Sequence, residues 1–152
     1  MTENEPKFEI RLIKHSEMNS IVPLVSQLNH HNIDTQTLTN RLTEMLARGY
    51  QCVGVFEGKD LVGVAGLWLL TKFYVGNHLE IDNVVVAENY QNKGIGDLMM
   101  TWIEAYAKQN NCLAIELNCY IGNEKAHKFW FNKKGKILGF HFQIKLLTPD
   151  NQ

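Results

Sequence analysis

Phe8 to Ile13 alternates apolar and polar residues, with Phe8, Ile10 and Leu12 on one face, and a period of two predicts a strand. The spacing then lengthens. Met18, Ile21, Val22, Val25 and Leu28 fit one helix face behind a capping Ser16, although Pro23 interrupts that helix. Leu38, Leu42, Met45 and Leu46 form a second amphipathic pattern that follows Asp34 and Thr35 and ends at Gly49. A hairpin comes next: Tyr50 to Phe56, a turn at Glu57-Gly58-Lys59-Asp60, and a long strand from Leu61 to about Leu70.

His78 to Val86 predicts another strand, closing on the β-branched run Val84-Val85-Val86. The strongest helix signal follows it, with Ile95, Leu98, Met99, Trp102, Ile103 and Tyr106 at three- and four-residue steps. Leu113 to Leu117 predicts a short buried strand, Glu124 to Lys133 a short helix, and Ile137 to Leu146 a final strand. The order is β-α-α-β-β-β-α-β-α-β. Strands cluster before the long helix, which predicts a mixed sheet with antiparallel neighbours rather than a doubly wound parallel one. Neither repeats nor linkers divide the chain, so one domain is expected over 1–152, with loose ends at 1–6 and 148–152.

Composition narrows the function classes. The 152 residues are 45% hydrophobic and 20% charged, enough for a buried core. With a net charge of -1, a protein built to coat nucleic acid or anionic membrane is not expected. Val62 to Leu70, the longest apolar run, is half of what a membrane helix needs, and Met1 to Lys7 lacks the features of a signal peptide. Cys52, Cys112 and Cys119 are scattered, which fits free thiols in a reducing cytoplasm. Of six histidines only His30 and His31 adjoin, and no metal site is expected from them.

Chemistry concentrates between Val84 and Gly96, where a strand meets Gln91-Asn92-Lys93-Gly94-Ile95-Gly96 at the start of the strongest helix. Glycines at such a turn let backbone N–H groups approach a ligand, and the helix N-terminus adds unpaired donors and partial positive charge. That combination suits a phosphate or pyrophosphate, with Lys93 as a charged neighbour. A Walker loop is excluded, since Gly58-Lys59 and Gly135-Lys136 precede Asp60 and Ile137 rather than Ser or Thr. A dinucleotide fingerprint is excluded too, because Met99 stands where its third glycine belongs.

Gln91-x-x-Gly94-x-Gly96 and Asn123-x-x-Ala126-x-x-Phe129-Trp130 together resemble the GCN5-related N-acetyltransferase (GNAT) superfamily. The resemblance spans the succession of elements over nearly the whole chain. It implies the acyl-CoA N-acyltransferase fold: an α+β domain with a mixed, mostly antiparallel twisted sheet flanked by helices. It also implies acetyl-CoA as co-substrate and acyl transfer to an amine on a small molecule or peptide, with a homodimer as the family's common assembly. Backbone groups of Val84, Val85 and Val86 would pair with the pantetheine arm. Gln91 opens the motif, and the N–H groups of Asn92, Lys93, Gly94, Ile95, Gly96 and Asp97 would hold the pyrophosphate. Asn123 would face the pantetheine or phosphate side of the cofactor, with Phe129 and Trp130 beside it.

An alkylamine with a pKa of about 10.4 must lose a proton before it attacks. Glu80 and Asp82 share one strand face, and either fits the base; Glu80, fourteen positions before Gly94, resembles the family's base glutamate. The leaving thiolate's conjugate acid has a pKa of about 8.5, so its protonation needs little help. Trp130 occupies the place of the family's acid tyrosine, and an indole N–H is no acid, which leaves Tyr120 or water. Cys119 reads as a small packed thiol and His127 as structural. His30 and His31, between the first two helices, fall where the family shapes its acceptor pocket, as does Asp34. A cofactor-binding module without turnover is the alternative reading, and a nucleotide-binding protein a third.

Overall fold

The computed structural model of the chain describes residues 7–146, so the loose ends expected at 1–6 and 148–152 lie outside the described residues. Strand β1 (Glu9–Leu12) pairs antiparallel with β2 (Gln51–Glu57), β2 with β3 (Asp60–Lys72), and β3 with β4 (Gly76–Val86). The short β5 (Ala114–Leu117) lies parallel to β4, which gives the spatial order β1-β2-β3-β4-β5. The mixed, mostly antiparallel sheet is therefore present. Its one parallel pair needs a crossover, which α3 (Ile95–Gln109) supplies.

The first helical stretch differs from expectation. Residues His15–Ile21 form a 3₁₀ helix without a side-chain cap, and Ser16 lies inside its first turn. Pro23 then stands at the start of α1 (Val22–Leu28), where a missing N–H removes no helix bond, so one expected helix becomes two segments. Asp34 caps α2 (Thr35–Ala47) by accepting the Thr37 N–H at 2.9 Å, and the bonds from Thr37 hold its carboxyl below the usual range. Asp34 is thereby spent on the fold. Gly49, at φ +92°, ends α2 in the left-handed conformation that glycine takes without strain.

Two apolar layers follow from the pleat of β3. Val64 and Trp68 face α1 and α2, in one cluster with Met18, Leu24, Leu42, Tyr50, Cys52 and Phe56. Gly63 faces α3, where Ile95 Cγ2 would stand only 3.2 Å from an added methyl. The buried stripe of α3 is Ile95, Met99, Met100, Ile103 and Ala107. Leu98 is 43% exposed instead, and Trp102 and Tyr106 stack on each other at 5.1 Å. A helix turns 3.6 residues per cycle, so rows 95-99-103 and 98-102-106 diverge, and only the first points into the sheet.

The chain divides into a unit ending at Leu117 and a second from Asn118. The second contains α4 (Glu124–Asn132), as expected from its pattern. The final strand expected at Ile137–Leu146 is not formed: residues 136–146 carry neither helix nor strand, and Phe140, Phe142 and Ile144 are exposed. Alternation prepares a segment for a sheet, but a strand exists only when a neighbour takes up its N–H and C=O groups. Similarly, β5 was expected to be buried, yet all four of its residues are half-buried.

The corrected stripe on α3 has a direct test. Ile103→Ala should lose about 2–5 kcal/mol of unfolding free energy in urea. Leu98→Ala should change it by less than about 1 kcal/mol.

Candidate active site

Strand β4 carries the site. β5 pairs only with His78–Ile81 and stops at Leu117. Among the described residues, Asp82 to Val86 therefore have β3 on one side and no strand on the other. The register slips between the pairs Val64–Val85 and Gly66–Asp82, which puts one extra residue in β4. Asn83 absorbs it at φ +44°, a conformation that asparagine tolerates better than most residues. A bulge of this kind re-aims backbone groups and shifts the side-chain alternation. Val85 consequently joins the α1–α2 core on the face of Asp82, while Val84 and Val86 are only half-buried.

The two candidate carboxylates have different surroundings. Asp82 Oδ1 accepts the Tyr50 hydroxyl at 3.0 Å and Oδ2 accepts Trp68 Nε1 at 3.1 Å. Asn83 Nδ2 donates to the Tyr50 oxygen at 3.3 Å, and the Tyr50 and Trp68 rings pack at 4.8 Å. Burial pushes the Asp82 carboxyl above the usual range, against the pull of its donors Trp68 and Tyr50. Burial likewise raises the Tyr50 phenol, so it stays a donor. Both Asp82 oxygens are occupied. Glu80 is freer, with Oε2 3.4 Å from the half-exposed Lys72 ammonium and a register position opposite Glu116 of β5.

A cavity of about 230 Å³ opens between α1, α2 and this cluster, lined by Val25, Asn29, Arg41, Met45, Tyr50 and Asn83 among others. His30 and His31 do not line it. They sit exposed in the α1–α2 turn at φ 52° and 58°, and His31 Nδ1 lies 2.9 Å from the Ser26 hydroxyl.

After β4 a short 3₁₀ turn (Glu88–Tyr90) leads into the glycine loop. Gln91 Nε2 donates to the Val86 carbonyl at 3.2 Å, as does Gln27 Nε2 at 3.0 Å, so Gln91 ties the loop to the strand end. Asn92 and Gly94 take φ 60° and 79°, and Gly94 serves as the N-cap of α3 without any side chain to cap it. A methyl at Gly94 would meet no atom within 4 Å, and the Ile95 and Gly96 N–H groups lie in the first turn, where an α-helix supplies no acceptor. Lys93 Nζ lies 5.1 Å from the Tyr90 ring centroid, and Tyr90 donates to Glu57. The geometry fits an oxyanion.

In the second unit, Asn123 caps α4, its Oδ1 accepting the Ala126 N–H at 3.1 Å. His127 Nε2 lies 2.8 Å from the Tyr120 carbonyl oxygen, and the Tyr120 side chain is exposed. Phe129 and Trp130 meet edge to face at 4.8 Å. Burial pushes the Cys119 thiol up, which disfavours its nucleophilic form.

Sequence reasoning missed Tyr50, Gly66, Trp68, Arg41 and the bulge at Asn83. Two signals were readable: a glycine inside a strand marks a close approach, and an asparagine in a β-branched run marks an irregularity. Gly66 pairs with Asp82, and a methyl there would overlap Asp82 Oδ1 and the Tyr50 hydroxyl.

Residues 20–135 match the model of the acetyltransferase (GNAT) family. The chain is 27% identical over 133 residues to a probable glucosamine 6-phosphate N-acetyltransferase of Drosophila melanogaster, covering 83% of this chain and 59% of that protein. The match thus spans about three fifths of that relative's length. It is 23% identical over 139 residues to an aminoalkylphosphonate N-acetyltransferase of Salmonella typhimurium, covering 90% of each. Among solved structures, a ribosomal-protein-alanine N-acetyltransferase from Brucella melitensis shares the fold. Its TM-score is 0.77 at 16% identity, over 91% of this chain and 99% of that one.

The crowding at Gly66 predicts that Gly66→Ala destabilises the protein by roughly 1–3 kcal/mol in urea unfolding. Trp68→Phe, which leaves Asp82 Oδ2 without its donor, should lose a further comparable amount when measured alone, about 1–3 kcal/mol.

Proposed function

Because this chain belongs to the acetyltransferase (GNAT) family, we propose that it transfers the acetyl group of acetyl-CoA to a primary amine of a small molecule. Attack is direct, within a ternary complex. The observation that carries the reading is the one-sided stretch of β4, which runs from a carboxylate, past a bulge, to an uncapped helix start. From Asp82 to Val86 that stretch measures roughly 13 Å at about 3.3 Å per residue.

Each part has a task along this line. The Ile95 and Gly96 N–H groups at the start of α3, with Lys93 beside them, bind the pyrophosphate, because a glycine-led turn and the helix dipole favour an anion there. Backbone groups from Val84 to Val86 pair with the amides of the pantetheine arm as an added strand would. Val86 contributes less through its carbonyl, which already accepts from Gln27 and Gln91. The re-aimed N–H groups at the bulge polarise the thioester carbonyl and stabilise the oxyanion that forms on attack.

Glu80 removes the proton from the attacking ammonium, directly or through one water. Asp82 takes the supporting part, since its oxygens are held by Tyr50 and Trp68 and it fixes the strand beneath the reacting atoms. The departing thiolate takes its proton from solvent, since its conjugate acid has a pKa of about 8.5.

The acceptor carries an anionic group as well as its amine. Arg41 lines the cavity beside Tyr50 and Asn83, which gives that cavity a cationic wall. The two named relatives act, by their names, on an amino sugar phosphate and on aminoalkylphosphonates, both of which join an amine to a phosphorus oxyanion. A guanidinium matches such a group in charge and in bidentate geometry.

Glu80→Gln should lower kcat about 10²–10⁴-fold while acetyl-CoA affinity stays within about twofold. Loss of acetyl-CoA binding instead would make Glu80 structural. Arg41→Gln should raise KM for a phosphate- or phosphonate-bearing amine about tenfold at little change in kcat, since a binding contact remote from the reacting atoms is lost. An equal effect on an uncharged amine would contradict that assignment.

A further inference from the structure

The sheet face that holds Glu80 carries two further titratable residues, His78 and Glu116, that the proposed acetyl transfer does not use. His78 lies on β4 two residues before Glu80 and is fully buried, while β5 sets Glu116 opposite Glu80. His78 Nε2 is 3.6 Å from Glu116 Oε2 and 3.8 Å from Glu80 Oε2. Its Nδ1 is 3.1 Å from the Gly76 carbonyl oxygen, which only accepts, so Nδ1 carries the hydrogen. Nε2 then points toward the two carboxylates. Among the described residues it is also the one buried side-chain polar atom without a hydrogen-bond partner. A buried ring nitrogen facing two carboxylates calls for a positive charge between them, a proton on Nε2 or a metal ion.

We propose that His78, Glu80 and Glu116 bind one divalent first-row transition cation, of the class of Zn²⁺ or Co²⁺. The three ligand atoms already lie within 4.8 Å of one another. Ligands about 2.0–2.2 Å from a tetrahedral ion stand roughly 3.4 Å apart, so small rotations of the two glutamates complete the set. An imidazole with two carboxylates suits these ions better than Mg²⁺ or Ca²⁺, which prefer oxygen alone.

The surroundings orient the ligands as metal sites require. The Gly76 carbonyl fixes the histidine tautomer, and the Tyr74 hydroxyl donates to Glu116, 2.6 Å from Oε1 and 2.5 Å from Oε2. The Lys72 ammonium, 3.4 Å from Glu80 Oε2, supplies positive charge to the cluster and is exposed enough to swing away as the ion enters. Three protein ligands leave a coordination position for water or for a donor atom of the acceptor. Glu80 contributes Oε2 and keeps Oε1 for the proton transfer proposed above. The cation site shares Glu80 with the base role proposed above, but its test needs neither acetyl-CoA nor acceptor.

The full chain, stripped with a chelator, is titrated with CoCl₂ and ZnCl₂ by calorimetry, with the visible Co²⁺ spectrum as a second readout. One equivalent of each ion should bind, with MgCl₂ in excess failing to compete. His78→Gln and Glu116→Gln should each weaken binding about tenfold or more. Glu116→Gln, at a less buried position, keeps the test valid if the His78 variant unfolds, and circular dichroism checks both. The His30→Ala/His31→Ala double variant should bind as the parent does. Absence of Co²⁺ and Zn²⁺ binding overturns the proposal. So does binding that survives Glu116→Gln, or binding that disappears with His30 and His31.

Discussion

An inner strand of a sheet pairs along both edges, and β4 does so for only four residues, His78–Ile81. Beyond that point β5 has ended, and one edge of the strand faces no other strand among the described residues. The remaining features arrange themselves around this interruption. The bulge at Asn83 turns backbone groups within the one-sided stretch, and Gln27 and Gln91 hold its far end through the Val86 carbonyl. The glycine-led start of α3 then follows immediately along the chain. A free strand edge is ordinarily a liability that invites indiscriminate pairing. Here it lies between a carboxylate and a glycine-led helix start, where the proposed cofactor arm would pair.

Two carboxylates on one strand face take separate parts because their environments differ. Asp82 lies under Tyr50 and Trp68, where desolvation raises its pKa and two donors fix its oxygens. Glu80 has a half-exposed lysine and a facing glutamate, and no donor locks it from the core side. Gly66 makes the first arrangement possible by leaving the space that a side chain would fill. Asp82 is therefore held on both oxygens while Glu80 meets only a half-exposed lysine, which suits the base role proposed for Glu80.

Much of this was legible in the residues. The period of two in Phe8–Ile13, the turn at Gly58 and the opening of α3 after Gly94 are local signals, and each element formed where its pattern predicted. Local patterns failed where the outcome depends on a distant partner. Ile137–Leu146 alternates as a strand should, but no pattern within a segment specifies which edge will accept it. Ser16 looked like a cap because helix capping is local, while Pro23 decided where the α-helix began. The Tyr50–Trp68–Asp82 cluster unites residues 14 to 32 positions apart, and only the strand register brings them together. The same register turned His78, silent in the sequence, into the buried neighbour of two glutamates.

The account rests on β4 and α3 together forming a CoA site, and ligand-dependent thermal unfolding tests that most directly. The chain is melted with acetyl-CoA, CoA, ATP or NAD at matched concentrations. A ligand at about 100 times its Kd adds roughly 2.7 kcal/mol to the folded state, enough for a clear rise in Tm. The account predicts that acetyl-CoA and CoA raise Tm while ATP and NAD leave it nearly unchanged. No rise with either CoA species, or an equal rise with ATP or NAD, would contradict it.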